Sequence, residues 1–348
     1  MSRSRVHPTL PTVGLWRGEQ FAGVDQISID LEPRMLTELE SAACRLVADG
    51  VDPQTVQPGA LPLGPLAPMI GGLRREIMHG RGFALLRGFP VDRLSDDETA
   101  LMFWGIGMRL GTAVSQSVMG ERLGHVIDVT DKDPNARAYR DRSELLPHTD
   151  LADILSFLCI RPARSGGVSR FVSSHTVYEE IRCSRPDLLE PLYNGFHYHR
   201  FGEQGDGQAA ITPYRVPVYS VRDGLLSCRY VPQFIAMAED EDPDIVLTGE
   251  DHEALDLFNS TAARADLCMD FTLGAGEAVV ANNFTVLHAR TAFEDHDDPA
   301  MKRHLLRLWL AADPPRPVVA ETVQYVGGPG IPHQPGRTPS YATRITTH

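Results

Sequence analysis

A mainly β protein with helical insertions (α+β), built as a sandwich or jelly roll, is the fold class this chain predicts. Three observations predict it. The apolar residues fall into many short runs bounded by Gly, Pro, Asn and Asp, the pattern of short strands joined by turns. Helical spacing is concentrated early in the chain and in a later insertion, not in regular alternation with strands. No GxGxxG or GxxxxGK[ST] sequence is present, so doubly wound nucleotide folds lose their usual support.

The elements follow in order. Residues 1–30 are polar and read as an arm. Residues 33–49 carry apolar positions at helical spacing and end at Gly50, and 67–80 read as a second helix after a Pro/Gly-rich loop. The apolar stretch from Gly82 to Pro90 predicts a buried strand. Ser95 and Glu98 have the spacing of a capping box, which opens a helix through about Leu110. Residues 124–130, Asp153 to Arg161 and Val168 to Ser173 read as strands. A short helix is expected after Ser184 and stops near Gly195. Residues 196–235 read as paired strands with turns at Gly202–Gly207 and at Asp223-Gly224. Thr248 to Arg264 reads as a helix, and Asp270–Leu273, Glu277–Asn282 and His304–Ala312 as late strands. This divides the chain into an arm with helices (1–80), a core (81–312) with an insertion at about 175–265, and a surface tail (313–348).

Composition narrows the function classes. Of 348 residues, 42% are hydrophobic and 23% charged, an ordinary globular balance. The net charge of −13 repels phosphate backbones and anionic lipid, so neither nucleic acid nor membrane is an expected partner. Five scattered cysteines show no CxxC pair, against a disulfide framework or a thiolate zinc site. No run approaches the ~20 apolar residues of a membrane span. A cytoplasmic protein with a small-molecule substrate is expected, with homo-oligomerisation left open.

The chemistry begins at Leu146-Pro-His-Thr-Asp150. Residues two apart on a strand share a face, so His148 and Asp150 would present an imidazole nitrogen and a carboxylate oxygen together. One more histidine completes a two-histidine, one-carboxylate triad, which suits non-haem iron(II) because it leaves metal positions open. The triplet alone is a weak signal, since a polar pair at a strand end looks the same. Later in the chain, Asn282-Asn-Phe-Thr-Val-Leu-His288-Ala-Arg290 reads as a turn followed by a histidine at the start of a segment. Arg303 and Arg307 follow in Lys302-Arg-His-Leu-Leu-Arg-Leu-Trp-Leu310, and their spacing of four does not make them immediate strand neighbours. Two other groups compete. His197 and His199 form a second same-face pair, read as ordinary strand residues, and Asp295-His-Asp-Asp298 reads as a solvated turn. Cys159 reads as a core thiol.

Taken together, the strand GFALLRGFP, the PHTD triplet, the SGG turn, NNFTVLHAR and the closing RHLLRLWL resemble the TauD/TfdA family of the clavaminate-synthase-like superfamily, over roughly residues 80 to 312. The resemblance implies a double-stranded β-helix, a jelly-roll core with helices outside. It implies iron(II), 2-oxoglutarate and dioxygen, with ascorbate as the reductant used in vitro. His148, Asp150 and His288 would be the metal ligands. Gly166-Gly-Val-Ser169 stands where the family has Gly-Gly-x-Thr, so Ser169 would contact 2-oxoglutarate, and Arg303 would clamp its distal carboxylate. Arg307, and by family topology Gln116, would face the prime substrate. Ser117 is a weaker candidate for the same pocket. An aspartate in the triad favours hydroxylation, desaturation or cyclisation over halogenation, because a small residue there would open a position for chloride. The implied substrate is a small carboxylate- or amino-acid-like molecule, in a biosynthetic tailoring role. Two alternatives stay open: a cupin-type metal enzyme that does not use 2-oxoglutarate, and a non-catalytic jelly-roll binding protein.

Overall fold

The computed structural model describes residue 10 and residues 12–128, 141–325 and 327–337. The end of the strand expected over 124–130, the first nine residues of the arm and the last eleven of the tail lie outside the described residues.

Strand β1 (Ser28–Asp30) and helices α1 (Pro33–Ala48) and α2 (Ala67–His79) precede β2 (Phe83–Arg87). Leu36, Leu39 and Ala43 fall on one side of α1 at helical spacing and are buried, and Gly50 follows the helix at φ +70°, a conformation costly for other residues. The capping box forms as expected: Ser95 and Glu98 bond each other's backbone and open α3 (Asp96–Leu110). Short strands β3 (Thr112–Ala113) and β4 (Leu123–Val126) follow, then β5 (Leu145–His148), β6 (Ile154–Arg161), β7 (Ser165–Gly166) and β8 (Ser169–Ser173).

Between β8 and the late strands lie α4 (Ser174–Ser184), α5 (Leu189–Asn194), hairpin strands β9 (Tyr219–Arg222) and β10 (Leu225–Cys228), α6 (Pro232–Glu241) and α7 (Gly249–Ala262). Here the structure departs from the sequence expectation. Helix α4 starts directly where β8 ends, with Ser173 capping it, and α6 occupies the end of a region expected to be strand. Of the strands expected over 196–235, only the β9–β10 hairpin and two isolated bridges form. Its turn does sit at Asp223-Gly224, where both residues have positive φ (51° and 78°), the geometry that matches strand twist. The chain closes with β11 (Met269–Phe271), β12 (Glu277–Asn282), β13 (Val286–Arg290), β14 (Phe293–Glu294) and β15 (His304–Ala311).

These strands make a mixed α/β architecture. A seven-stranded sheet runs β1-β2-β12-β6-β15-β3, with β4 also on β15, and a four-stranded sheet runs β11-β8-β13-β5. Strand alternation sorts the core. Phe83, Leu85, Val279, Cys159 and Leu305 of the larger sheet pack with Phe171, Phe271 and Val286 of the smaller one. The alternate residues Ala84, Leu86, Val280, Leu306 and Leu308 pack under α1, α2 and α3. The insertion helices build their own core on the outer face of the smaller sheet, through Val172 and Leu287. Residues 313–337 run across the outside but are anchored: Tyr325 and Ile331 are buried, and Gly330 N–H donates to the Leu151 carbonyl. All five cysteines are free, and among the described residues no helix is long and apolar enough to cross a membrane.

Candidate metal and anion site

Strand pairing brings the two histidines together. His288 on β13 is directly opposite His148 at the end of β5, with ring centroids 4.2 Å apart. Asp150 lies two residues past the strand end, so the chain around it is held by other means. Its N–H donates to Asn283 Oδ1 (2.9 Å), its carbonyl accepts from the Arg229 guanidinium, and the neighbouring Thr149 N–H donates to the Tyr230 carbonyl (2.7 Å). Asn282 shapes the turn as expected, its side-chain oxygen accepting from Phe284 N–H, while Asn283 instead ties the turn to the Asp150 loop.

Asp150 Oδ1 lies 4.0 Å from His148 Nε2, and Oδ2 lies 3.7 Å from His288 Nε2. One ligand atom from each of the three residues falls within 4.8 Å of the others, and this is the one such His/Cys/Asp/Glu group among the described residues. Ligands at ~2.0–2.2 Å from a common ion would need to close by only about an ångström. The donor chemistry fits as well. His148 Nδ1 is 2.7 Å from the Leu146 carbonyl, which places its proton there and leaves Nε2 free to ligate. Burial, with the charges of His148 and Arg307, pushes His288 down to about 3, so its ring is neutral. Burial alone would raise Asp150, but His288, Arg307, His148 and a bond from Trp309 outweigh it and hold the carboxyl below its ordinary value. Two imidazoles and a carboxylate are a donor set for a divalent transition metal.

Leu305, Arg307 and Trp309 share the inward face of β15, as strand periodicity requires, and Arg303, one residue before the strand, lines the same small pocket as Leu305, so both arginines look inward. They are held differently. Arg307 is buried: its Nε donates to Gln116 Oε1 (2.6 Å), its guanidinium lies over the Trp309 ring (4.7 Å), and Nη1 is 3.9 Å from Asp150 Oδ2. Gln116 is fully buried, and its Nε2 donates to the Arg307 and Arg122 carbonyls. Ser117 is buried too, bonded to Glu121.

Arg303 is 6% exposed and lies over the Phe293 ring at 4.9 Å. Among the described residues no acceptor is within hydrogen-bond reach of its guanidinium, and burial pulls its pKa down. It lines a small pocket with Gly167, Ser169, Cys159 and Leu305. The Gly pair before Ser169 is required: both glycines have positive φ, and a Cβ on Gly166 would stand 2.3 Å from the Ala292 carbonyl oxygen. Arg290 adds a second buried guanidinium, also over Phe293 and donating to the Asp141 and Ser143 carbonyls; burial and Arg303 push it down to about 10. The reading of residues 295–298 as a solvated turn needs correction at one position. Asp295 is buried, and its Oδ1 accepts from Arg303 N–H (2.6 Å), which helps set the start of β15.

The competing histidines are engaged elsewhere. His197 Nδ1 is 2.7 Å from the Thr212 carbonyl, and His199 pairs with Glu241 at 2.8 Å. Sequence reasoning gave no role to Trp309, Arg229, Phe293 or Asp295. For Trp309 and Phe293 a usable signal existed, the two-residue spacing from Arg307 along one strand and the nearby position after the HAR triplet.

Comparison with known proteins agrees with this geometry. The family model described as taurine catabolism dioxygenase TauD, TfdA family matches residues 61–309, more than half of the chain. FR-33289 synthase of Streptomyces rubellomurinus is 29% identical over 306 residues, covering 85% of this chain and 88% of that protein. Taurine hydroxylase-like protein SAT17 of Stachybotrys chartarum is 27% identical over 312 residues, covering 84% and 77%. Among solved structures, the non-heme iron oxygenase OrfP in complex with Fe and alpha-ketoglutaric acid superposes with a TM-score of 0.61 at 14% identity, covering 86% of this chain and all of that one. Asparagine oxygenase in complex with Fe(II), 2S,3S-3-hydroxyasparagine and succinate does so at 0.60 and 16%, covering 82% and 93%. The chain belongs to the taurine catabolism dioxygenase TauD, TfdA family and is an iron(II)- and 2-oxoglutarate-dependent oxygenase.

Proposed function

We propose that His148, Asp150 and His288 hold the iron, that Arg303 and Ser169 hold the distal carboxylate of 2-oxoglutarate, and that the enzyme oxidises a C–H bond of a small carboxylate- or amino-acid-like molecule. The observation that carries the reading is Arg303: a buried cation whose guanidinium has no hydrogen-bond acceptor among the described residues, facing a small pocket. A buried charge is costly unless it is paired, and a carboxylate supplied by a ligand is the partner that fits a planar guanidinium. Ser169, on the same pocket, offers the hydroxyl expected of the family's threonine.

The fold supports the same reading. Strands β4-β15-β6-β12 and β5-β13-β8-β11 are two antiparallel sets of four, and successive strands alternate between them except where the insertion joins β8 to β11. We read this order as the double-stranded β-helix, occupying residues 81–312, with the arm and helices of 1–80 and the segment from 313 packed outside it.

Iron with 2-oxoglutarate and dioxygen supplies the oxidising power when bound, with succinate and carbon dioxide as co-products. The chain's own residues do the rest. The triad offers three ligands and leaves the remaining positions to co-substrate and oxygen. The Asp150 carboxylate fills the place that halogenation would need open. Arg307, beside Asp150, meets an acidic group of the substrate, and Gln116 acts through Arg307 by fixing its Nε. Solved structural neighbours that carry hydroxylated amino acids, and a relative named as a synthase, support an amino-acid-like substrate in a biosynthetic pathway.

The test is succinate release from 2-oxoglutarate on adding iron(II) and ascorbate, with and without a panel of amino acids and small organic acids. Stimulation by an acid, lost in His288→Ala, is the expected result. A protein that binds neither iron(II) nor 2-oxoglutarate would return the alternative of a non-catalytic jelly roll.

A further inference from the structure

We propose that Trp309 is a positioning residue that selects which oxygen of Asp150 meets the metal. This rests on the reading that Asp150 is a ligand. Trp309 Nε1 donates to Asp150 Oδ2 at 2.8 Å. An indole N–H can only donate, so this contact needs an ionised or accepting oxygen. The same Oδ2 is 3.9 Å from Arg307 Nη1 and 3.7 Å from His288 Nε2, whereas Oδ1, 4.0 Å from His148 Nε2, receives no protein hydrogen bond among the described residues. Both oxygens thus stand near a triad histidine, and the Trp309 N–H is what distinguishes them: it occupies Oδ2 and leaves Oδ1 the freer ligand.

The indole is held rigidly enough to do this. It is 2% exposed, packed among Val118, Leu151, Leu155, Tyr325 and Ile331, with the Arg307 guanidinium over its face. A carboxylate pinned through one oxygen ligates through the other and cannot swing to bind through both. That matters because a two-oxygen aspartate would take a position that 2-oxoglutarate or dioxygen needs. Hydrogen-bonding partners of metal ligands typically govern affinity or activity by about 10- to 100-fold.

The test uses Trp309→Phe, which keeps an aromatic ring and deletes the N–H, with cobalt(II) as the probe metal. Its visible absorption reports coordination number, and titration gives its affinity. The expected result is a changed cobalt(II) spectrum and an affinity altered by about tenfold or more, with the metal-free variant melting close to the parent. An unchanged spectrum and affinity would overturn the proposal and leave Trp309 as packing. His288→Ala and Asp150→Ala run alongside: if they too bind cobalt(II) normally, the metal reading itself fails. Should Trp309→Phe not fold, the parent protein still decides. Of the three tryptophans, Trp16 and Trp104 donate to the Arg81 and Val56 carbonyls. In nitrogen-15 indole spectra, assigned with Trp16→Phe and Trp104→Phe, the Trp309 resonance should shift on adding zinc(II). A resonance that does not move would overturn the proposal equally.

Discussion

Replacing Arg303 by methionine should affect co-substrate binding far more than folding. In the folded chain its guanidinium is buried over Phe293 with no hydrogen-bond acceptor among the described residues, and the buried carboxylate that feels its charge, Asp295, keeps its bond from the residue-303 backbone N–H when the side chain is changed. The lowered pKa has burial as its main cause, meaning that the fold holds this cation at a cost. An apolar side chain of similar length removes that cost and forfeits the contact with Phe293, worth about 0.5–2 kcal/mol. The metal-free variant should therefore melt no more than a few degrees below the parent, since 1 kcal/mol moves the midpoint of a chain this size by about 2–4 °C or less. Binding of 2-oxoglutarate should respond quite differently. Loss of one partner of a buried charged pair costs about 3–5 kcal/mol, a roughly hundred- to several-thousand-fold rise in Kd. Calorimetric titration of 2-oxoglutarate into manganese(II)-loaded enzyme under nitrogen measures it without turnover. A Kd within threefold of the parent, or a large drop in melting temperature with intact 2-oxoglutarate binding, would refute the assignment and make Arg303 a structural cation.

Other predictions follow from the same geometry. Ser169→Ala deletes one neutral hydrogen bond on the same pocket, so the Kd for 2-oxoglutarate should rise by a factor of about 2–12, for ~0.5–1.5 kcal/mol, in the same titration. Arg307→Lys keeps the charge but loses the planar fork held by Gln116, so the succinate formed per substrate oxidised should climb and the substrate KM should rise; an unchanged ratio and KM would leave Arg307 structural. His175, far from the proposed chemistry, is buried with Nδ1 unpartnered and is pushed down to about 4, chiefly by burial. Its folded pKa lies below its unfolded value near 6.5, so the unfolded chain binds the extra proton. Stability is then full above about pH 6.5 and lost as pH falls toward 4, by on the order of 3 kcal/mol. Melting curves of His175→Gln across that window should slope less steeply than those of the parent.

The parts of the site that the sequence made legible are those set by local periodicity. His148 and Asp150 are two residues apart beside a strand, Arg303 and Arg307 lie along another, and Ser95 with Glu98 announces α3 within four residues. What pattern could not supply is contact across the sheets. That Asn283 would hold the Asp150 loop, that Arg229 would reach its carbonyl from the insertion, and that Asp295 would set the Arg303 backbone all depend on pairings more than a local window apart or on burial. Helix α4 was hidden for a different reason. Its sequence, SHTVYEEIRCS, begins with β-branched and polar residues that carry little helical signal, so pattern assigns the stretch after the strand ending at Ser173 to no element, and only the Ser173 cap marks the helix start. The region 196–235 was over-read as strands because its apolar tyrosines and valines serve a small core under the insertion helices, where burial outweighs intrinsic preference.

One strand sets the scale for the whole site. Along the inward face of β15, starting from the residue before it, Arg303 faces the proposed 2-oxoglutarate pocket, Leu305 fills the space between the sheets, Arg307 stands beside Asp150, and Trp309 bonds the carboxylate. The opposite face of the same strand, with Leu306, Leu308 and Leu310, is buried under the helices. At ~3.3 Å per residue, the step from Arg303 to Arg307 is about 13 Å, enough to keep a dicarboxylate's distal end apart from the substrate's acid group. Because both faces of β15 are buried, its register cannot slip without exchanging Leu306, Leu308 and Leu310 for Leu305, Arg307 and Trp309 in the helix-packed core. The packing that stabilises the fold is thereby the same constraint that fixes the distances between Arg303, Arg307 and Asp150, the residues proposed to meet co-substrate, substrate and metal. A change that loosens β15 from β6 or β4 should then disturb 2-oxoglutarate affinity, substrate coupling and metal ligation together, whereas each side-chain substitution above should disturb one of them first.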